Sequence, residues 1–133
     1  NVKNLMFVLW ALAWPLMGWA YQQAAGTAGV ANGAVDASCI AAPGAGKTLY
    51  ITDVTVWVST AAAGGGGELA LENGAGGTRF FEMDADAVGT QYIHFESPGY
   101  PLSANTALNV TVDGAVTTQA TGGCVAVANV SRP

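Results

Sequence analysis

The chain has 133 residues, of which 51% are apolar and only 10% are Asp, Glu, Lys or Arg. That length holds one domain and not two, and its charge content lies far below the roughly 25% usual for soluble domains. The net charge is −5 and the four basic residues, Lys3, Lys47, Arg79 and Arg132, are scattered, which argues against nucleic acid as a partner, because clustered Lys and Arg are needed to displace counterions from phosphate. So few charges fit a subunit largely covered by neighbours, and equally a plain bias toward Gly and Ala.

Residues Leu5 to Tyr21, LMFVLWALAWPLMGWAY, carry no charge and follow Lys3. As a helix rising 1.5 Å per residue they span about 25 Å, slightly short of a ~30 Å hydrocarbon core. Leu5, Phe7, Leu9, Leu12 and Leu16 supply apolar bulk. Trp10, Trp14 and Trp19 supply rings of the kind that settle at membrane interfaces. Pro15 lacks an N–H and is expected to kink the helix. Three readings compete. One is a secretory signal peptide, with Lys3 as its basic region and Gly18-Trp19-Ala20 as a small-x-small cleavage site. The second is a retained anchor in a membrane or a hydrophobic assembly core. The third is a helix packed on the chain's own domain. A retained anchor helix over residues 1–21 is the leading expectation.

Residues 22–37, QQAAGTAGVANGAVDA, are rich in Gly and Ala and show no apolar period. They read as a flexible linker. From residue 38 to 133 the pattern becomes strands and turns. Thr48–Ser59 (TLYITDVTVWVS) is the clearest strand, with a register change near Asp53 that predicts a bulge. Glu68–Glu72, Thr78–Met83, Thr90–Glu96, Ala107–Val112 and Gly123–Val130 follow, with Gly or Pro in every gap. With a strand near Cys39 this makes about seven short strands and no helix-period segment between them. The predicted fold is mainly β: an antiparallel β-sandwich or jelly-roll-like domain preceded by an N-terminal hydrophobic helix. Its expected core comprises Leu49, Ile51, Val56, Leu69, Leu71, Phe80, Ile93, Phe95, Leu108, Val110, Val125 and Val127.

Cys39 and Cys124 each open an apolar, strand-like run. They are either two buried thiols or a disulfide. Features pointing to export favour the bond, which would close a long loop and contribute about 4 kcal/mol by the chain-entropy estimate.

Sites of chemistry are few. Gly44-Ala-Gly46-Lys47-Thr48 matches the tail of a phosphate-binding loop, but Ala41 stands where that loop needs Gly. A strand follows it instead of the required helix, so a β-turn is expected. The single histidine, His94, alternates with Ile93 and Phe95 and is expected on the opposite face. It lacks the partners for zinc or for nucleophilic hydrolysis. Glu82, Asp84 and Asp86 alternate before Gly89 and are a weak Ca²⁺ candidate, to be completed by Asp113 or backbone carbonyls; a solvated acidic loop is the preferred reading. Asn109-Val-Thr111 and Asn129-Val-Ser131 match the glycosylation pattern but fall in predicted strands. No enzyme activity and no cofactor are expected.

Ile51-Thr-Asp-Val54, the Pro101-Leu102 turn and Ala107-Leu108-Asn-Val110 resemble the strand and turn patterning of small β-sandwich proteins on bacteriophage particles. The likeness covers about 90 residues. It implies a virion role and carries no site residues. A second resemblance, an apolar N-terminal helix before a β-rich head, is to pilins; bacterial type IV pilins carry Glu at the fifth mature position, where this chain has Leu5. The expected function is therefore a non-enzymatic structural subunit of a virion, partnered by identical copies and other structural subunits. A pilus-like filament subunit is the alternative, and a cell-envelope binding module is third. The expected location is a virion or cell surface.

Overall fold

A computed structural model describes residues 21–30, 36–114 and 120–131. The expected anchor residues Leu5, Phe7, Leu9, Trp10, Leu12, Trp14, Leu16 and Trp19 lie outside the described residues. Tyr21, expected to close that helix, is the first residue of a strand. Among the described residues no helix is long and apolar enough to cross a membrane.

Nine strands are formed: β1 (Tyr21–Val30), β2 (Asp36–Ile40), β3 (Leu49–Thr60), β4 (Gly67–Asn73), β5 (Thr78–Asp84), β6 (Gly89–His94), β7 (Tyr100–Pro101), β8 (Leu108–Gly114) and β9 (Thr121–Ser131). They build two antiparallel sheets. The first has the order β1-β9-β3-β6, with the short β7 also on β3; the second has the order β2-β8-β4-β5. The pairs β1–β9, β2–β8, β3–β6 and β4–β5 are nested in sequence and alternate between the sheets. The chain is thus one long hairpin rolled up so that its two arms stay paired.

Of the linker expected over residues 22–37, the described residues form strands, and residues 31–35 lie outside the described residues. The described ones hold nine of the ten residues of β1 and the start of β2. Their small side chains serve close approach. A Cβ on Gly26 would collide with the Cys39 carbonyl, so Gly26 lets β2 pass over β1.

The core lies between the sheets. In β3 a bulge between Ile51 and Asp53 shifts the alternation, so that Leu49, Ile51, Val54, Val56 and Val58 all point inward and are at most 1% exposed. Leu69, Leu71, Leu108 and Val110 meet them from the second sheet. Each such side chain contributes roughly 1.5–3 kcal/mol by leaving water. Phe80, Ile93 and Phe95 are half-buried and pack on the core's margin. Phe80 stacks on Tyr100 with ring centroids 4.4 Å apart, and Phe95 meets the same ring at 5.5 Å.

Two expected core residues are corrected. Val125 and Val127 face outward, 46% and 36% exposed. Cys124, Ala126, Ala128 and Val130 take the inner positions. Because side chains alternate with a period of two, one choice of phase decides every residue of β9. The inner face of β9 takes small residues because large ones arrive from the other sheet: Leu69 Cδ1 lies 3.1 Å from where a Gly122 Cβ would stand.

Cys39 and Cys124 are joined by a disulfide, with Cα atoms 6.1 Å apart. The bond ties β2 to β9 and so one sheet to the other. A bulge between Ser38 and Ile40 turns Cys39 inward beside Ile40. Replacing both cysteines by Ala is expected to lower the unfolding free energy by about 4 kcal/mol, within the roughly 2–5 kcal/mol usual for small domains. Urea unfolding of the two proteins measures this, and coincident curves would contradict it.

Candidate functional site

The two outer faces of the sandwich differ in chemistry. On the second sheet the outward rows are Ser38–Asn109–Glu72–Arg79, then Asp36–Thr111–Ala70–Glu82, then Asp113–Glu68–Asp84. Arg79 is the hub. Its guanidinium lies 3.2 Å from Glu72, 3.4 Å from Glu68 and 3.6 Å from Glu82, and also pairs with Asp113. The Glu72 side chain is only 5% exposed and accepts a further hydrogen bond from the Gly76 N–H at 3.0 Å. A carboxylate so far out of water needs both partners. Arg79 holds its proton more firmly than a free guanidinium, chiefly through the Asp113 hydrogen bond.

The weak Ca²⁺ candidate is not assembled. Among the described residues no group of three or more His, Cys, Asp or Glu is placed to hold a metal ion. Asp86 instead accepts from Gly66 N–H at 2.7 Å and Gly67 N–H at 2.8 Å, and Asp84 accepts from Asp86 N–H at 2.7 Å. These carboxylates hold the glycine-rich loop against β5. A shallow cleft of about 300 Å³ lies beside them, lined by Glu68, Glu82, Met83 and Asp84.

The Gly44–Lys47 segment is a turn, closed by Lys47 N–H donating to the Gly44 carbonyl at 3.2 Å. β3 follows it, as expected. Asn109 is buried. The Asn129 amide donates to the Pro98 carbonyl at 3.2 Å.

The outer face of the first sheet is different. Its rows run Ala25–Val127–Asp53–His94, Thr27–Val125–Thr55–Tyr92 and Gly29–Gly123–Trp57–Thr90. Val125, Val127 and Tyr92 are exposed, Tyr92 by 66%. Trp57 lies across Gly123, where a Cβ would meet its Cζ2 at 2.7 Å. The hydroxyls of Thr27 and Thr52 donate to the carbonyls of Cys124 at 3.0 Å and Val127 at 3.2 Å. Their polarity is therefore spent within the sheet.

In these rows the one carboxylate is Asp53. Its Oδ1 accepts from the Tyr92 hydroxyl at 2.5 Å and lies 2.8 Å from His94 Nδ1. The Tyr92 hydroxyl, then His94, then Thr52 hold the Asp53 carboxyl down from 3.8 to about 2. The same bond raises the Tyr92 phenol above its ordinary value. His94 is outward and exposed, as its alternation predicts. Tyr92 donates to the carboxylate, not to the imidazole, so the trio is a clasp between β3 and β6. Sequence reasoning missed it because the Asp53–His94 pairing depends on cross-strand register. The Arg79 hub was missed for the same reason.

No family model matches the chain, and no curated protein matches it. Among solved structures it is similar to a chain of the cryo-EM structure of the extra small virus particle of the giant freshwater prawn Macrobrachium rosenbergii. The sequences are 12% identical, the match covers 84% of this chain and 80% of that one, and the TM-score is 0.31. At that score the likeness carries no functional argument.

The Asp53 clasp has a pH signature. A carboxyl depressed in the folded state stabilises it above the unfolded value, near 3.8, and that contribution fades as pH falls toward about 2. Thermal melts of wild type and Asp53→Asn between about pH 5 and 2 are expected to differ most at the upper end and to converge at the acid end. A constant difference across that range would contradict the clasp.

Proposed function

We propose that this chain is a non-enzymatic structural subunit of a virion. Residues 5–19 seat it in a hydrophobic layer, either a membrane or the apolar interior of the assembly, and the rolled sandwich forms the exposed body. The observation that carries this reading is the nested pairing that alternates between the two sheets. That connectivity is the jelly roll, an architecture used by viral capsid domains and also by lectins and cupins. Fold alone does not assign function. Assembly is favoured over ligand binding by the surface, because the outer face of the first sheet presents Val125, Val127, Trp57 and threonines, and the one carboxylate in those rows, Asp53, is tied to Tyr92 and His94. Identical copies and other structural subunits are the proposed partners.

A second reading has its own support. Tyr21 pairs with Ser131, so both ends of the described chain lie at one end of the sandwich. The apolar segment precedes Tyr21 in the chain and so joins the body at that end, as the core-forming segment of a filament subunit would. Electron microscopy of the full chain purified with its N-terminal segment separates the outcomes. Closed particles or shells are expected. Rods of stacked copies would favour the filament, and a stable, freely soluble monomer with residues 5–19 intact would overturn both.

A further inference from the structure

We infer that the edge of β1, unpaired among the described residues, is where two copies of this chain join, β1 to β1, antiparallel about a two-fold axis. The inference deepens the structural-subunit reading and rests on it for its setting, while the pairing itself rests on the edge.

β1 ends its sheet and is bonded to β9 on one side through ten consecutive residue pairs without a register shift. An end strand turns a row of backbone N–H and C=O groups outward, and that row is complementary to another extended strand. Folded proteins normally blunt such edges with charge, proline, bulges or short length. The other outer strands longer than the two-residue β7 are blunted in these ways. β2 has five residues, opens on Asp36 and carries a bulge. β5 carries Arg79, Glu82 and Asp84 and a bulge at Phe80. β6 has six residues and ends on His94 beside Asp53. β1 reads YQQAAGTAGV, with no charge, no proline and no bulge.

The occupant follows from charge and symmetry. Each copy carries −5, so two copies repel wherever acidic surfaces meet. The β1 edge and its neighbouring outward pairs, Ala25–Val127 and Thr27–Val125, offer a contact without that repulsion. An antiparallel pair of identical strands is self-complementary, as a two-fold interface requires. It would join two five-stranded sheets into one continuous sheet, aligning their outer faces.

The test uses the full chain in mild detergent. Light scattering is expected to give two copies per particle for the wild type, or a multiple of two, and half that number for Ala25→Lys, which places charge beside the edge. Retention of the Cys39–Cys124 bond and of the β-sheet circular dichroism checks that the variant folds; should it not, Gln23→Lys at another exposed edge position takes its place. Single cysteines at Gln23, Ala25 and Thr27 are expected to give a disulfide-linked dimer at the position nearest the axis, and Thr90→Cys in β6 to give none. A wild-type monomer, linkage through position 90 alone, or an unchanged copy number in a folded Lys variant overturns the inference. Shells that persist in the folded Lys variant would remove the edge and leave the structural reading standing. Dimers without any larger assembly would do the reverse.

Discussion

The phase of β9 is the constraint from which the rest of the structure follows. Cys124 must point inward to reach Cys39 across the core, and alternation then assigns every other residue of the strand. Ala126, Ala128 and Val130 go in with it, while Val125 and Val127 go out. The small inner residues leave room for Leu69 of the opposite sheet. β9 lies between β1 and β3 and pairs with both over most of its length. A slip of one residue in β9 would put two valines against the core, break the cross-sheet bond and expose the alanines.

The same phase divides the surface. The second sheet collects the Arg79 hub and its four carboxylates on its outer side. The first sheet presents valine, tryptophan, tyrosine and threonine, and ties its Asp53 carboxylate into a clasp. Together with the rolled connectivity, which returns Ser131 beside Tyr21, this gives the body one face rich in carboxylates, one face with a single tied carboxylate, and both ends of the described chain at one end of the sandwich. Those three features motivate the reading of the chain as an assembling subunit.

Much of the β body was legible in the sequence. Alternating runs bounded by Gly and Pro located β3, β4, β5, β6, β8 and β9, and the bulge near Asp53 showed as a break in the period of two. The inward set Leu49, Ile51, Val56, Leu69, Leu71, Leu108 and Val110 was legible because these are large apolar residues on clear strands. β1 was not, since strand signals rest on bulky alternation and its Ala and Gly residues are chosen for close approach of β2. Val125 and Val127 were misplaced because size suggested burial, whereas the disulfide sets the phase. The two outer-face networks depend on register between strands distant in sequence, which one-dimensional pattern does not contain. Residues 5–19, the strongest sequence signal of all, lie outside the described residues.

The orientation of β9 is tested most directly by placing a charge on it. With Cys124 pointing inward, Val127→Asp puts a carboxylate on the outer face, and Ala126→Asp puts one in the core. The first protein is expected to keep its disulfide and its cooperative thermal transition at somewhat lower stability, because the new carboxylate stands opposite Asp53 across the sheet and like charges directly opposite are destabilising. The second is expected not to fold, because an unpaired carboxylate in an apolar interior costs several kcal/mol. The reverse result, a folded Ala126→Asp and an unfolded Val127→Asp, would show that β9 has the opposite phase and that Val125 and Val127 do not face outward.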